Sequence, residues 1–185
     1  MWRDPIAVWR VSQRMSKAET HPSPAEARAK LGELIDSIDI AMLTTVTPEE
    51  DLHARPMATL RFDREAGHLW FFTSDDSPKV NDIYHDRRVG LTYAEPDDQR
   101  YVSVAGRAMI VEDATLAEEM WTPMAKIWFP QGPTDPRLVL LRVDVESAQY
   151  WDSPSSKMVA LWGFAKQAVT GKPPRDLGDN EKVDY

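Results

Sequence analysis

The first clear pattern along the chain is a stripe of hydrophobic residues at helical spacing, which begins just after Ser23-Pro24-Ala25-Glu26. A serine N-cap, a proline at the first helical position and a glutamate at the third are typical of a helix start. The pattern predicts an amphipathic helix whose apolar side packs on a sheet. The stripe consists of Ala27, Leu31, Leu34, Ile35 and Ile38.

Beyond this helix the pattern changes to segments rich in β-branched and aromatic residues, separated by short polar turns. Such segments favour antiparallel strands. A second helix is predicted from Ser77 to about His85, and a helical segment from Ala114 to Trp121. The predicted strands span Ile40 to Thr47, Leu52 to Phe62, His68 to Thr73, Arg88 to Ala94, Arg100 to Val111, and Leu138 to Trp151.

This order of elements indicates an α+β protein that is mainly antiparallel β, because the helices do not alternate regularly with the strands. A six-stranded Greek-key barrel with flanking helices is the natural closure of such a sheet. The barrel domain is predicted to span residues 23–171 and to include a helix from Ser156 to Val169. Residues 1–22 form an N-terminal extension. The charged tail, residues 172–185, is expected to be flexible unless a partner surface orders it.

The composition of the chain argues against several classes of function. The 185 residues suit one domain, and a net charge of -8 argues against a nucleic-acid partner. The chain has no cysteine, so thiolate nucleophiles and iron-sulfur clusters are excluded and redox chemistry requires a bound cofactor. The four histidines show no metal-binding spacing, so no metal site is predicted. No apolar stretch approaches about 20 residues, so no membrane contact and a cytoplasmic location are expected.

The segment from Leu52 to Leu60 contains the first candidate for ligand binding. Alternation places Arg55, Met57 and Thr59 on one face of the strand. Pro56 interrupts the hydrogen-bonding ladder, so nearby backbone groups are available to a planar ligand. The alternative interpretation is an edge strand that proline and arginine protect from aggregation.

The second candidate begins at the end of the strand His68 to Thr73 and continues into the next helix. Ser77 as N-cap and Pro78 as first helical residue direct free N–H groups toward the preceding loop. Hydroxyls of Thr73 and Ser77 and the charge of Lys79 are suited to a phosphate. Asp75 and Asp76 are compatible with this site only if they point to solvent, and a plain capped helix is the alternative.

An arginine strand followed by Phe72-Thr73, Ser77 and Lys79 resembles the FMN-binding pattern of the pyridoxamine 5'-phosphate oxidase family, whose fold is a split β-barrel. The resemblance implies that Arg55 to Thr59 follow the isoalloxazine ring and ribityl chain, and that Thr73, Ser77 and Lys79 hold the phosphate. It also implies a homodimer whose cleft is made by two chains, with Trp121, Trp128 and Trp151 near it. The predicted cofactor-binding residues are Arg55, Pro56, Met57, Thr59, Phe72, Thr73, Ser77, Lys79, Trp128 and Trp151.

Two features qualify the resemblance. The segment Tyr150-Trp151-Asp152-Ser153-Pro154, with the helix that follows it, resembles the general stress protein branch of this superfamily. Leu60 and Pro78 stand where the biosynthetic oxidase has a lysine and an arginine, and the oxidase's C-terminal substrate motif is missing. Pyridoxamine phosphate oxidation is therefore not expected, and the loss of two cations predicts modest FMN affinity.

Two classes of function follow from this resemblance. In the first, the chain is a flavin-dependent oxidoreductase, with FMN before FAD, in which the ring carries electrons from a nicotinamide or another donor. No side chain is assigned as acid or base, and the stress branch suggests a stress-response role. In the second, the chain is a flavin-binding or flavin-sensing module without turnover, or a split barrel that binds another cofactor such as a deazaflavin or haem.

Overall fold

The computed structural model describes residues 22–152 and 179–185; the predicted helix from Ser156 to Val169 lies outside these ranges. The helices are α1 (Pro24–Ser37), α2 (Pro78–His85) and α3 (Ala114–Glu119), with short 3-10 helices at Pro123–Ile127 and Gly132–Thr134. The strands are β1 (Ile40–Val46), β2 (Leu52–Ala58), β3 (Arg61–Asp63), β4 (His68–Ser74), β5 (Arg88–Glu95), β6 (Arg100–Val111), β7 (Leu138–Asp152) and β8 (Asp179–Asp184).

Helix α1 begins where the sequence predicts. The Ser23 hydroxyl accepts a hydrogen bond from the backbone N–H of Glu26, and the Glu26 carboxylate accepts one from the backbone N–H of Ser23. The bond from the Ser23 backbone also holds the pKa of Glu26 below its ordinary value, so this carboxylate stays charged at the positive end of the helix. The predicted stripe is buried against the sheet and includes Ala27, Leu31, Leu34 and Ile35.

All strands lie in one antiparallel sheet, in the order β2-β1-β5-β6-β7-β4-β3, with β8 also paired to β7. The first and last strands of this order, β2 and β3, are neighbours along the chain and only Thr59 and Leu60 separate them. The sheet must therefore curl back on itself. No ladder within the described residues joins β2 to β4. The result is a split antiparallel barrel with flanking helices, which confirms the predicted fold class.

The sheet has eight strands among the described residues, where the sequence predicts six. The predicted strand from Leu52 to Phe62 is divided, because the N–H of Thr59 donates to the Asp39 carbonyl and that of Leu60 to the Trp70 carbonyl. The other additional strand is β8, which pairs with the second half of β7. The expectation of a flexible tail is wrong for residues 179–184, since main-chain hydrogen bonds to β7 hold them.

The main core fills the barrel. Strands β4, β5 and β6 direct alternate side chains inward, among them Phe71, Tyr93 and Val102, all fully buried. A smaller cluster of Trp70, Met120 and Leu140 lies under α3 on the other side of β4. Among the described residues no helix combines the length and hydropathy needed to cross a membrane.

Gly106 marks an irregularity in the pairing of β6 with β7. The register shifts between Ala105 and Gly106, which is the signature of a β-bulge. A Cβ atom at Gly106 would lie 2.4 Å from the Asp144 carbonyl oxygen, so only glycine lets the two backbones approach this closely. The bulge accentuates the bend of the sheet at this point.

Candidate functional site

A cavity of about 490 Å³ lies at the split between β2 and β4. This volume is within the roughly 300 to 1,000 Å³ typical of small-molecule and cofactor sites. One wall is the end of β2 and the link to β3, and the second is the end of β4 with the start of α2. The third wall is the 3-10 helix Pro123–Ile127 with the residues next to it, here called the 3-10 segment. The lining residues are Pro56, Met57, Ala58, Thr59, Leu60, Phe72, Thr73, Ser74, Ser77, Lys79, Thr122, Met124, Ala125, Trp128, Phe129 and Arg137.

One end of the cavity is formed by Thr73, Ser77 and Lys79, here called the anion site. The Lys79 ammonium donates hydrogen bonds to the Thr73 and Ser77 hydroxyl oxygens, 3.2 Å away in each case. The two hydroxyls lie 3.1 Å apart and share a hydrogen bond. Strand β4 supplies Thr73 and the first turn of α2 supplies Lys79, so the site is built on regular structure. Two hydroxyls and an ammonium on one cavity wall are suited to bind a phosphate.

Ser77 occupies the N-cap position of α2, as predicted, but its side chain makes no capping hydrogen bond. Its hydroxyl points instead to Thr73 and Lys79. Pro78 has no N–H, and the N–H of Val80 is bonded to the Ser77 carbonyl. The Ser77 side chain is therefore committed to the anion site and not to the stability of the helix.

Burial lowers the pKa of Lys79, and the nearby Arg55 guanidinium lowers it further, whereas the Asp82 carboxylate acts in the opposite sense. A cation that is partly removed from water and lies near a second cation is poorly solvated. An anion in the cavity would replace the lost solvation. The electrostatics of this end therefore favour a negatively charged ligand group.

The predicted repulsion by Asp75 and Asp76 does not arise, because both residues are exposed and neither lines the cavity. The Asp76 carboxylate accepts a hydrogen bond of 2.5 Å from the Ser74 hydroxyl. The backbone N–H of Asp75 donates to the Arg137 carbonyl, and this bond fixes the loop against the start of β7.

Arg55 lies behind the anion site and does not line the cavity. It donates from Nη1 to the Thr45 hydroxyl at 2.6 Å and from Nη2 to Asp82 Oδ2 at 3.1 Å. The Thr45 hydroxyl donates to the same carboxylate oxygen at 2.6 Å. Both Thr45 and Asp82 are buried, so this is an interior ion pair with an added hydrogen bond. Direct binding of a cofactor by Arg55 stays a prediction.

The remaining walls are largely apolar. Phe72 packs against Trp121 and Phe129, with ring centroids 5.8 and 6.3 Å apart. Trp128 and Met124 line the cavity from the 3-10 segment, although 61% and 66% of their surfaces are exposed. Large aromatic and thioether groups beside an anion site match a ligand with a flat apolar part and a charged end.

The link between β2 and β3 is held by a buried tyrosine. The hydroxyls of Thr59 and Tyr93 lie 3.1 Å apart and share a hydrogen bond. Burial raises the pKa of Tyr93 well above its ordinary value, so this phenol stays neutral. Because Thr59 lines the cavity, Tyr93 fixes the position of that wall.

Trp151 is a predicted site residue that does not line the cavity. It is on β7 opposite Tyr101, whereas Leu138, at the other end of β7, pairs with Ser74 at the cavity rim. Leu138 and Trp151 are thirteen steps apart along β7, at about 3.3 Å for each step. Trp151 therefore does not contact the cavity of its own chain, and its assignment stays a prediction that requires a second subunit.

The structure thus brings together on the cavity wall the predicted residues Pro56, Met57, Thr59, Phe72, Thr73, Ser77, Lys79 and Trp128. The sequence interpretation missed Arg137, a cation on the same cavity, and the buried pair Thr45 and Asp82 behind it. The only local signal for Asp82 is an acidic residue between Val80 and Ile83, the apolar residues that α2 buries. In the described part of the chain, no three His, Asp or Glu side chains are grouped so as to hold a metal ion.

Fold and site together define a split-barrel protein with a cavity at the split that carries two hydroxyls and an ammonium at one end. The family model described as "Pyridoxamine 5'-phosphate oxidase like" matches residues 26–175. The chain therefore belongs to the pyridoxamine 5'-phosphate oxidase-like family, and the predicted resemblance is confirmed.

Relatives of known name agree with this assignment. General stress protein 26 of Bacillus subtilis is 26% identical over 139 residues, which cover 74% of this chain and 96% of that protein. Protein bli-3 of Neurospora crassa is 28% identical over 152 residues, covering 77% of this chain and 73% of that protein. Among solved structures, the general stress FMN/FAD binding protein of Xanthomonas citri superposes with a TM-score of 0.62 at 32% identity, covering 71% of this chain and 92% of that one. The similarity is therefore to the general stress proteins of the family.

Proposed function

We propose that this chain binds a flavin, FMN in preference to FAD, in the cavity between β2 and β4. The observation that carries the proposal is the anion site of Thr73, Ser77 and Lys79 at one end of a cavity whose other walls are apolar. Such a site is suited to a single phosphate monoester on a molecule with a flat aromatic part. The similarity to a general stress FMN/FAD binding protein of Xanthomonas citri supports the same ligand class.

The residues present fit FMN. Thr73, Ser77 and Lys79 would hold the phosphate by one charge-assisted and two neutral hydrogen bonds. The wall from Pro56 to Thr59 would lie along the ring and ribityl chain, with Phe72 and Trp128 as further aromatic contacts. The second cavity cation, Arg137, is half exposed and has an acidic neighbour, Asp135, at 3.4 Å. Arg137 is therefore a weaker partner for a phosphate than Lys79.

We also propose that the chain is an oxidoreductase, with a nicotinamide as one electron donor to be tested. A bound flavin can transfer one or two electrons. The side chains of this cysteine-free chain do not supply that chemistry themselves. The protein's own residues would bind and orient the flavin. Lys79 would neutralise the phosphate, Tyr93 holds Thr59 in the wall, and Phe72 keeps one side of the cavity apolar. No side chain is assigned a proton-transfer role.

A homodimer is part of the proposal, because one face of the sheet is largely exposed among the described residues. Met42 on β1 lies beside Pro56 on one side and Thr92 on the other, and Thr92 lies beside Ser103. The residues of this surface, here called the outer face, are uncharged and mostly exposed, and the surface is bordered by Arg88 and Arg107, the next pair on the same side of β5 and β6. Its members are Ile40, Met42, Thr44, Leu52, Ala54, Pro56, Ala58, Gly90, Thr92, Ala94, Tyr101, Ser103 and Ala105.

The outer face adjoins the cavity, since Pro56 and Ala58 belong to both. Uncharged exposed surfaces of this extent are typical of protein–protein contacts. A second chain on this face would therefore border the cavity. This arrangement would also explain why Trp128 is largely exposed in one chain.

Purified protein tests the flavin proposal directly. We expect a yellow preparation, or saturable quenching of FMN fluorescence at micromolar protein, with weaker binding of riboflavin, which lacks the phosphate. No uptake of FMN or FAD at micromolar concentrations would contradict the proposal and leave a deazaflavin or haem as cofactors to be titrated next.

Turnover is a separate question with its own experiment. We expect the visible absorbance of bound FMN to be bleached by NADH or NADPH under anaerobic conditions. Bound flavin that neither nucleotide reduces would indicate a flavin-binding or flavin-sensing module.

A further inference from the structure

Behind the anion site lies a buried hydrogen-bonded group of three side chains, Thr45 on β1, Arg55 on β2 and Asp82 on α2. Thr45 is fully buried, and the side chains of Asp82 and Arg55 are 6% and 15% exposed. The Asp82 carboxylate oxygen Oδ2 accepts from both Thr45 and Arg55, and the Thr45 hydroxyl accepts from Arg55. The three bonds form a closed triangle, so the guanidinium has one defined position.

The triangle is connected to the anion site through α2. Asp82 and Lys79 are three residues apart on this helix, and therefore lie on the same side of it. Arg55 is bonded to Asp82, and the two charges act on the pKa of Lys79 in opposite directions, Arg55 lowering it and Asp82 raising it. Two cations and one carboxylate give this region a net charge of +1 before any ligand binds.

The burial of Asp82 needs an explanation, since a carboxylate near a phosphate site repels the ligand. A buried charge is costly unless its partners compensate it fully. If the role of Asp82 were only to balance charge, removing it would increase the attraction for phosphate. If its role were to hold Arg55 in place, removing it would release the guanidinium and weaken the attraction. The two roles predict opposite changes in affinity.

We propose that Asp82 and Thr45 are positioning residues of the anion site: they hold the Arg55 guanidinium behind Lys79, so that two cations act together on a bound phosphate monoester. The inference rests on the proposed flavin function. It deepens that function by assigning phosphate selectivity to residues that do not line the cavity. A guanidinium fixed in advance loses less conformational entropy when the ligand binds than a free arginine would.

The test compares FMN with riboflavin, which differs from FMN by the phosphate alone, in fluorescence titrations of the wild type and Asp82→Asn. We expect Asp82→Asn to weaken FMN binding roughly tenfold and leave riboflavin binding unchanged. The matched control is Asp86→Asn, which removes a carboxylate just after the same helix, where Asp86 pairs with Arg88 and not with the site. The control should bind both flavins as the wild type does.

A double variant of Asp82 and Arg55 distinguishes a positioning role of Asp82 from a general loss of structure. In an Arg55→Ala background, Asp82→Asn should produce no further loss of FMN affinity, because the group that Asp82 holds is already gone. Thr45→Val, which keeps the side-chain volume and removes the hydroxyl, gives a second test if Asp82→Asn folds poorly. It should also lower the preference for FMN over riboflavin.

The outcomes separate this inference from the proposed function. A wild type that binds neither flavin would overturn both. A wild type that prefers FMN, together with an Asp82→Asn variant whose preference is unchanged or increased, would overturn the positioning role alone. Equal losses for FMN and riboflavin would also overturn it, because the effect would then not depend on the phosphate.

Discussion

The Lys79 ammonium donates a hydrogen bond of 3.2 Å to the Ser77 hydroxyl, and this hydroxyl makes no capping bond to α2. At the start of α1, by contrast, the Ser23 hydroxyl accepts from the N–H of Glu26 and caps the helix. Two serines in the same N-cap position thus have different roles. The difference can be measured, because one affects stability and the other is expected to affect ligand binding.

Ser77→Ala and Ser23→Ala are therefore a matched pair. We expect Ser23→Ala to lower the free energy of unfolding by about 1 kcal/mol, the usual cost of a lost N-cap, and to leave FMN binding unchanged. Ser77→Ala should cost less stability and weaken FMN binding several-fold, since a phosphate contact is lost. Denaturant unfolding and FMN titration of both variants check this. Equal stability losses with no change in binding would show that Ser77 is only a structural cap.

The pH dependence of FMN binding should follow the protonation of Lys79. Because burial and Arg55 lower the pKa of Lys79, its charge is lost at a lower pH than that of an ordinary lysine. The phosphate binds the protonated form, so the preference for FMN over riboflavin is present below this pKa and declines as the pH rises through it. Titrations from neutral to alkaline pH measure the decline. In Lys79→Met the preference should be small at every pH, and an unchanged pH profile would contradict the role of Lys79.

Arg55 should contribute to stability as well as to binding. Its removal leaves the Asp82 carboxylate buried without its cationic hydrogen-bond partner. We expect Arg55→Ala to lower the free energy of unfolding by about 3 kcal/mol, the typical cost of breaking a buried ion pair. The double variant Arg55→Ala with Asp82→Asn should recover part of this loss in denaturant unfolding. If Arg55→Ala is as stable as the wild type, the ion pair makes no net contribution to stability.

The outer face provides a test of the dimer. Ala54→Lys places a charge on the β2 side of this surface, and Ala29→Lys places the same charge on the exposed side of α1. Light scattering at micromolar concentration should show a dimer for the wild type and for Ala29→Lys, and a monomer for Ala54→Lys. A monomeric wild type, or a dimeric Ala54→Lys, would exclude the outer face as the contact.

The sequence predicts the helices and most strands because their hydrophobic periods are regular, as in α1 and in β6 from Arg100 to Val111. It does not predict the break at Thr59 and Leu60, since the alternation of apolar residues continues through it and the hydrogen bonds that end β2 come from distant residues. Strand β8 is missed for a related reason. Its only buried apolar residue is Val183, and pairing with β7 defines it.

The candidate site likewise has one part that the local sequence predicts and another part that it does not predict. Thr73, Ser77 and Lys79 are close in sequence, so local spacing and the helix start predict them together. The ion pair of Arg55 with Asp82 joins residues 27 positions apart and depends on how α2 packs on the sheet. Arg137 reaches the cavity because the Asp75 N–H bonds to its carbonyl, a contact that no local pattern predicts.

A crystal structure of the protein with FMN would show directly whether the phosphate binds at Thr73, Ser77 and Lys79. We expect phosphate oxygens within hydrogen-bond distance of Lys79 Nζ and of both hydroxyls, with the ring along the wall from Pro56 to Thr59. A flavin whose phosphate lies away from Lys79, for example on Arg137 alone or on the outer face, would contradict this expectation.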